Sequence, residues 1–208
     1  MTVVLIRTNS DGATEKSHGF GEEAKQICSE CGLPVLDLSG RKATRCRLDK
    51  LARSLVKHEA VFVIYAHCPQ TDGDMIEGQC GGAILDDRNL AAIEGAGVFA
   101  AVCWIGKKLG KAMVKKGARY FIGWTEAIYL VPGYESKVGE CLNHGVRQML
   151  QDPNDPERAA EAIRLSVYDI LTAYHRAEEP LSAQACIAFF SILDSLVVYP
   201  ERVPNAAA

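Results

Sequence analysis

Hydrophobic and polar positions along this 208-residue chain alternate between short apolar runs and longer stretches with helical spacing. Val3-Val4-Leu5-Ile6 opens the chain as a strand and leads through a polar turn, Asn9-Ser10-Asp11-Gly12. Phe20, Ala24, Ile27, Cys28 and Cys31 then recur at i, i+4, i+7, i+8 and i+11, one face of a helix that Gly32 ends. Val35 to Leu38 predicts a second strand, and Leu48, Leu51, Ala52 and Leu55 mark a second helix. Ala60 to Ala66 is a third strand and delivers His67; Val98 to Val102 is another and delivers Cys103. Their β-branched and aromatic content is that of strands buried on both faces. A helix over about Gly106 to Lys116 and a strand over Arg119 to Trp124 follow.

The β-α-β order predicts an α/β fold with a mostly parallel sheet and helices on both faces. Between the two central strands, Cys68 to Gly82 reads as a glycine-rich loop of the kind that forms lids and binding segments. Ala83-Ile84-Leu85 reads as a short edge strand, and Leu90 to Glu94 as a helical turn. After Pro132 only helices are expected: one near Ser136 to Leu150, one from Asp155-Pro156, and one from Ser182. The expected organisation is an α/β core over 1–134, a helical annex packed on it over 135–199, and a flexible tail over 200–208.

Composition narrows the classes. Apolar residues make up 48% and charged residues 24%, an ordinary globular mix, and the net charge of −3 offers no case for nucleic acid. Cys186 to Val198 is apolar but short and carries Asp194, so it reads as a core helix and no membrane contact is expected. The opening strand lacks a basic region before it, and no secretory signal follows. The eight cysteines are therefore expected to be reduced thiols of a cytoplasmic protein, five or six of them core residues.

If the third strand and the strand ending at Cys103 are neighbours, an imidazole and a thiol emerge side by side at the carboxyl edge. Open α/β sheets place their sites there. A base beside a thiol equips a cysteine nucleophile. A thiolate at Cys103 would also gain from the start of the following helix, and Lys107, Lys108 and Lys111 add positive potential. The backbone N–H groups of Cys68 and Cys103 are candidate oxyanion donors. Zinc held by His67, Cys68, Cys80 and Cys103 is the weaker reading, because no paired Cys-x-x-Cys frames them. Cys28 and Cys31 fall on an apolar helix stripe and read as core. No metal and no cofactor is expected.

Val61-Phe62-Val63-Ile64-Tyr65-Ala66-His67, Val98-Phe99-Ala100-Ala101-Val102-Cys103 and the segment Leu109 to Trp124 resemble the caspase-like (clan CD) cysteine peptidases. The order of elements is most similar to their CHAT-domain branch. The resemblance covers residues 1–130 by topology and 60–125 by motif. It implies a caspase-like three-layer sandwich and an endopeptidase with a His67–Cys103 dyad. It further implies a protein or peptide substrate, and a loop at 68–82 that an activating protein partner would rearrange.

Two positions depart from that family, which has glycine after the histidine and a small residue after the nucleophile. This chain has Cys68 and Trp104. They favour the alternative, a catalytically silent module that binds a partner; a flavodoxin-like small-molecule binder is a third reading. Candidate pocket residues are Arg7, Asp72, Asp74, Asp86, Trp104 and Trp124. The acids would select a basic residue before the scissile bond, and Arg7 an acidic one.

Overall fold

The first apolar run, Thr2–Arg7, forms strand β1, with every residue from Val3 onward buried. Such a strand needs cover on both faces, which a parallel sheet between helix layers provides. The computed structural model, which describes residues 1–176 and 181–200, has that architecture. After β1 come α1 (Gly12–Glu30), β2 (Val35–Ser39), α2 (Arg45–Ala52) and β3 (Ala60–Tyr65). A small hairpin of β4 (Met75–Glu77) and β5 (Ala83–Asp86) precedes β6 (Gly97–Ala101), α3 (Leu109–Lys115) and β7 (Tyr120–Trp124). The chain continues through α4 (Glu135–Gln151), α5 (Pro156–Arg176), α6 (Ala183–Ser195) and β8 (Leu196–Tyr199).

The six-stranded sheet has the order β2-β1-β3-β6-β7-β8, parallel throughout except for β8, which runs antiparallel to β7. Strand alternation divides the core in two. Val61, Val63 and Tyr65 of β3, with Phe99 and Ala101 of β6, face a cluster shared with α1, α4, α5 and α6. Phe62, Ile64, Val98 and Ala100 face the other cluster, shared with α2, α3 and the hairpin. Helices therefore cover both faces, as the pattern predicts.

Local chemistry sets the start of α1. Asp11 accepts a hydrogen bond from the Thr14 N–H, and the Thr14 hydroxyl accepts one from the Asp11 N–H, a reciprocal cap. The stripe Phe20, Ala24, Ile27 and Cys28 is buried as expected.

Several expectations are corrected. The segment Cys68 to Gly82 is not a loop throughout, because Met75–Glu77 pairs with Ala83–Asp86. Ala83–Asp86 consequently belongs to the separate hairpin rather than to an edge of the main sheet. The helix after Cys103 begins at Leu109, three residues later than expected (109 − 106). The apolar stretch Cys186 to Val198 is not one helix: α6 stops at Ser195, and the β-branched Val197 and Val198 pair with Gly123 and Ile122. Residues 135–199 thus supply the sixth strand as well as helices, and they share a core with α1. Of the tail expected over 200–208, residues 201–208 lie outside the described residues. All eight cysteines are free, but only Cys28, Cys68 and Cys141 are buried, and Cys46 and Cys80 are exposed. Among the described residues no helix is long and apolar enough to cross a membrane.

Candidate functional site

Strands β3 and β6 are parallel neighbours, with Tyr65 opposite Ala101 in register. His67 and Cys103 each lie two residues beyond that pair, so period-two alternation keeps them on the face of Tyr65 and Ala101. Both residues line one cavity of about 230 Å³ at the carboxyl edge. The two strands are neighbours, as the sequence reading requires, and both residues border the same cavity.

The cavity is built by three further elements. Helix α1 contributes Thr14, Ser17 and Phe20 to one wall; α4 contributes Leu142; Ile128, Tyr129 and Leu130 come from the segment after β7. A buried polar link holds this frame. The Tyr65 hydroxyl donates to Asn143 Oδ1 (2.5 Å), and Asn143 Nδ2 donates to the Phe20 carbonyl (3.1 Å) and to Glu23 Oε2 (3.0 Å). Strand β3, α1 and α4 are thereby tied at the floor of the site.

Cys103 is half-buried, and its Sγ accepts a hydrogen bond from the Ile128 N–H at 3.3 Å. Burial pushes its thiol above the ordinary value, against the smaller opposing effect of that N–H. The expected helix-start activation is absent, since Cys103 to Lys108 is a turn and α3 begins only at Leu109. Trp104 reverses the chain there with φ of 57°, and its N–H donates to the Glu126 carbonyl (3.1 Å). Nor do the lysines serve the sulfur. Lys107 pairs with Glu126 (3.1 Å), Lys108 with Asp72 (3.4 Å), and Lys111 lies over the Tyr199 ring.

A thiol held protonated alkylates slowly. In an iodoacetamide time course at pH 7, the exposed Cys46 and Cys80 should label well before Cys103. The Cys103 rate should still be climbing above pH 9.0, the ordinary thiol value. Peptide mass spectrometry of each cysteine checks this; Cys103 labelling first at neutral pH would contradict it.

His67 is half-buried, and its carbonyl accepts from the Glu77 N–H at 2.8 Å, which anchors the hairpin to the end of β3. Its ring takes part in no hydrogen bond or ion pair among the described residues. Cys68 is fully buried on the opposite face, in the α2/α3 cluster, and donates to the Gln70 carbonyl at 2.9 Å. It therefore does not crowd the cavity, and it cannot gather with His67, Cys103 and the exposed Cys80 around one ion. Among the described residues no group of three or more metal-ligating side chains forms.

The pocket candidates read from the sequence lie elsewhere. Arg7 is buried, and Asp37 (Nη2 to Oδ2, 2.6 Å) and Glu22 take up its guanidinium. Asp86 would be raised by burial, but hydrogen bonds from Arg88 and Arg45 hold it down to about 2. Asp72 is exposed beside Lys108, and Asp74 is half-buried with Oδ1 lacking a hydrogen bond among the described residues. Trp124 is wholly buried, donates to the Ile192 carbonyl (3.2 Å) and meets Phe99 edge-on. Neither these residues nor Trp104 line the cavity. Sequence reading passed over its actual walls. Ile128-Tyr129-Leu130, an apolar triplet outside any predicted element, was the available signal.

No family model matches the chain, and no curated protein does either.

Proposed function

We propose that this chain is a caspase-like cysteine endopeptidase acting through His67 and Cys103. One observation carries the reading: the imidazole and the thiol leave register-matched ends of adjacent parallel strands into the same cavity. In the proposed reaction Cys103 Sγ bonds to the substrate carbonyl carbon, the π pair moves to oxygen, and His67 takes the thiol proton. The backbone N–H groups of Cys68 and Cys103 are the proposed donors to that oxygen. His67 then protonates the departing amine as the C–N bond breaks, and later draws a proton from the water that hydrolyses the thioester. The reaction uses no metal or cofactor. Two features of the described fold support the caspase-like assignment: the mostly parallel sheet flanked by helices, and the order of histidine strand before cysteine strand. Eight free thiols fit a reducing, cytoplasmic setting.

A silent partner-binding module is the second reading, favoured by the raised thiol of Cys103 and by the lack, among the described residues, of a cation paired with its sulfur. Incubation with a diverse peptide library, with new termini read by mass spectrometry, separates the two. Cleavage by the native chain that vanishes in Cys103→Ala is expected. A library left intact by the folded native chain would sink the peptidase and leave the module.

A further inference from the structure

We infer that the cavity beside the dyad takes an uncharged, apolar side chain from the residue whose carbonyl is attacked. This rests on the peptidase reading and names its substrate class. The cavity's polar groups decide what else could enter. Thr14 Oγ1 accepts from the Ser10 N–H (2.8 Å) and Asp11 N–H (2.9 Å) and donates back to Asp11 (3.0 Å). Ser17 Oγ donates to the Thr14 carbonyl at 3.1 Å, and the Tyr65 hydroxyl is taken by Asn143. Helix capping and the floor link thus engage the hydroxyl protons of Thr14, Ser17 and Tyr65. What remains toward the cavity is the ring of Phe20, the aliphatic Ile128, Leu130 and Leu142, Ala66 and Ala101, the exposed and uncharged Tyr129 at its rim, and the two reacting groups.

Among the described residues no charged side chain lines the space, and of the ions sought in the sequence Arg7 is paired with Asp37 and Glu22, Asp86 with Arg45 and Arg88, and Asp72 with Lys108, all outside it. A carboxylate or ammonium entering here would lose its water and find no counter-ion, which is strongly unfavourable. An aliphatic or aromatic group gains by the same burial. The volume fits one side chain better than a cofactor, since pockets for drug-sized ligands run about 300–1,000 Å³ and this one is about 230 Å³. Both charge preferences expected from the sequence, basic and acidic, are thereby set aside.

The test uses three peptidyl acyloxymethyl ketones that differ only at the residue bearing the ketone: Leu, Asp or Lys. Cys103 Sγ displaces the carboxylate leaving group, a C–S bond replaces a C–O bond, and the thiol proton passes to His67. The adduct is counted on Cys103 by mass spectrometry. The Leu probe should label at least about 100-fold faster than either charged probe. Leu130→Lys, at a half-buried wall position, should shift the order toward the Asp probe by tenfold or more. If that variant does not fold, the native order decides alone. Faster labelling by Asp or Lys in the native chain would overturn the apolar assignment and leave the peptidase standing. So would an order unmoved in a folded Leu130→Lys protein. No probe labelling Cys103 faster than plain iodoacetamide would overturn both.

Discussion

Replacing His67 with alanine should lower kcat/KM for a cleaved peptide by about 10²–10⁴-fold, the range that a positioned general acid–base group contributes. The fold should survive the change. The ring is half-buried and forms no hydrogen bond or ion pair among the described residues, so its removal strands no partner. The anchoring of the hairpin uses the His67 carbonyl, which alanine retains. The loss should be larger than for an ordinary cysteine peptidase whose thiolate exists at rest. Here burial raises the Cys103 thiol above its ordinary value, and in the proposed attack its proton must be removed. Initial rates on the best library peptide, beside thermal midpoints for both proteins, measure the effect. An unchanged rate at an unchanged midpoint would remove His67 from the mechanism.

How far the sequence revealed this site depends on the physics behind each feature. Strands β1, β3 and β6 were legible because residues buried on both faces leave an uninterrupted apolar run. Once β3 and β6 pair in parallel, the period of two carried past their ends suggests one face for His67 and Cys103, and both do border one cavity. The turn after Cys103 was not legible. It depends on a tryptophan at φ of 57°, a conformation for which side-chain pattern carries no signal. The pocket candidates lie outside this cavity for another reason. Arg7 finds Asp37 across the β1–β2 pair, and Asp86 finds Arg45 from α2, contacts that only tertiary packing creates. Strand β8 was hidden because an apolar stretch covered by the core reads equally as helix or strand; only the β-branched Val197 and Val198 distinguish it.

The second large effect is expected at Gly73, where the segment after His67 touches the Cys103 turn. Its carbonyl accepts from the Leu109 N–H at 2.9 Å, and its φ is 67°. A β-carbon added there would strike the Trp104 carbonyl oxygen and lie 2.7 Å from the carbonyl carbon. The obstacle is backbone, so no rotamer change relieves it. Trp104, the residue next to the proposed nucleophile, or the loop itself must move. Gly73→Ala should therefore cost about 2–5 kcal/mol, combining left-handed strain with overpacking. For a chain of this size that is a fall of about 4–20 °C in Tm. Peptide cleavage should drop as well, because the displaced turn carries Cys103. Gly19→Ala is the matched control. Nothing lies within 4 Å of its added β-carbon on α1, so it should stabilise by about 0.5–1 kcal/mol. Opposite signs for the two glycines, read by thermal unfolding, would show that the loop bears directly on the Cys103 turn. Equal and small effects would show that the loop moves independently of it.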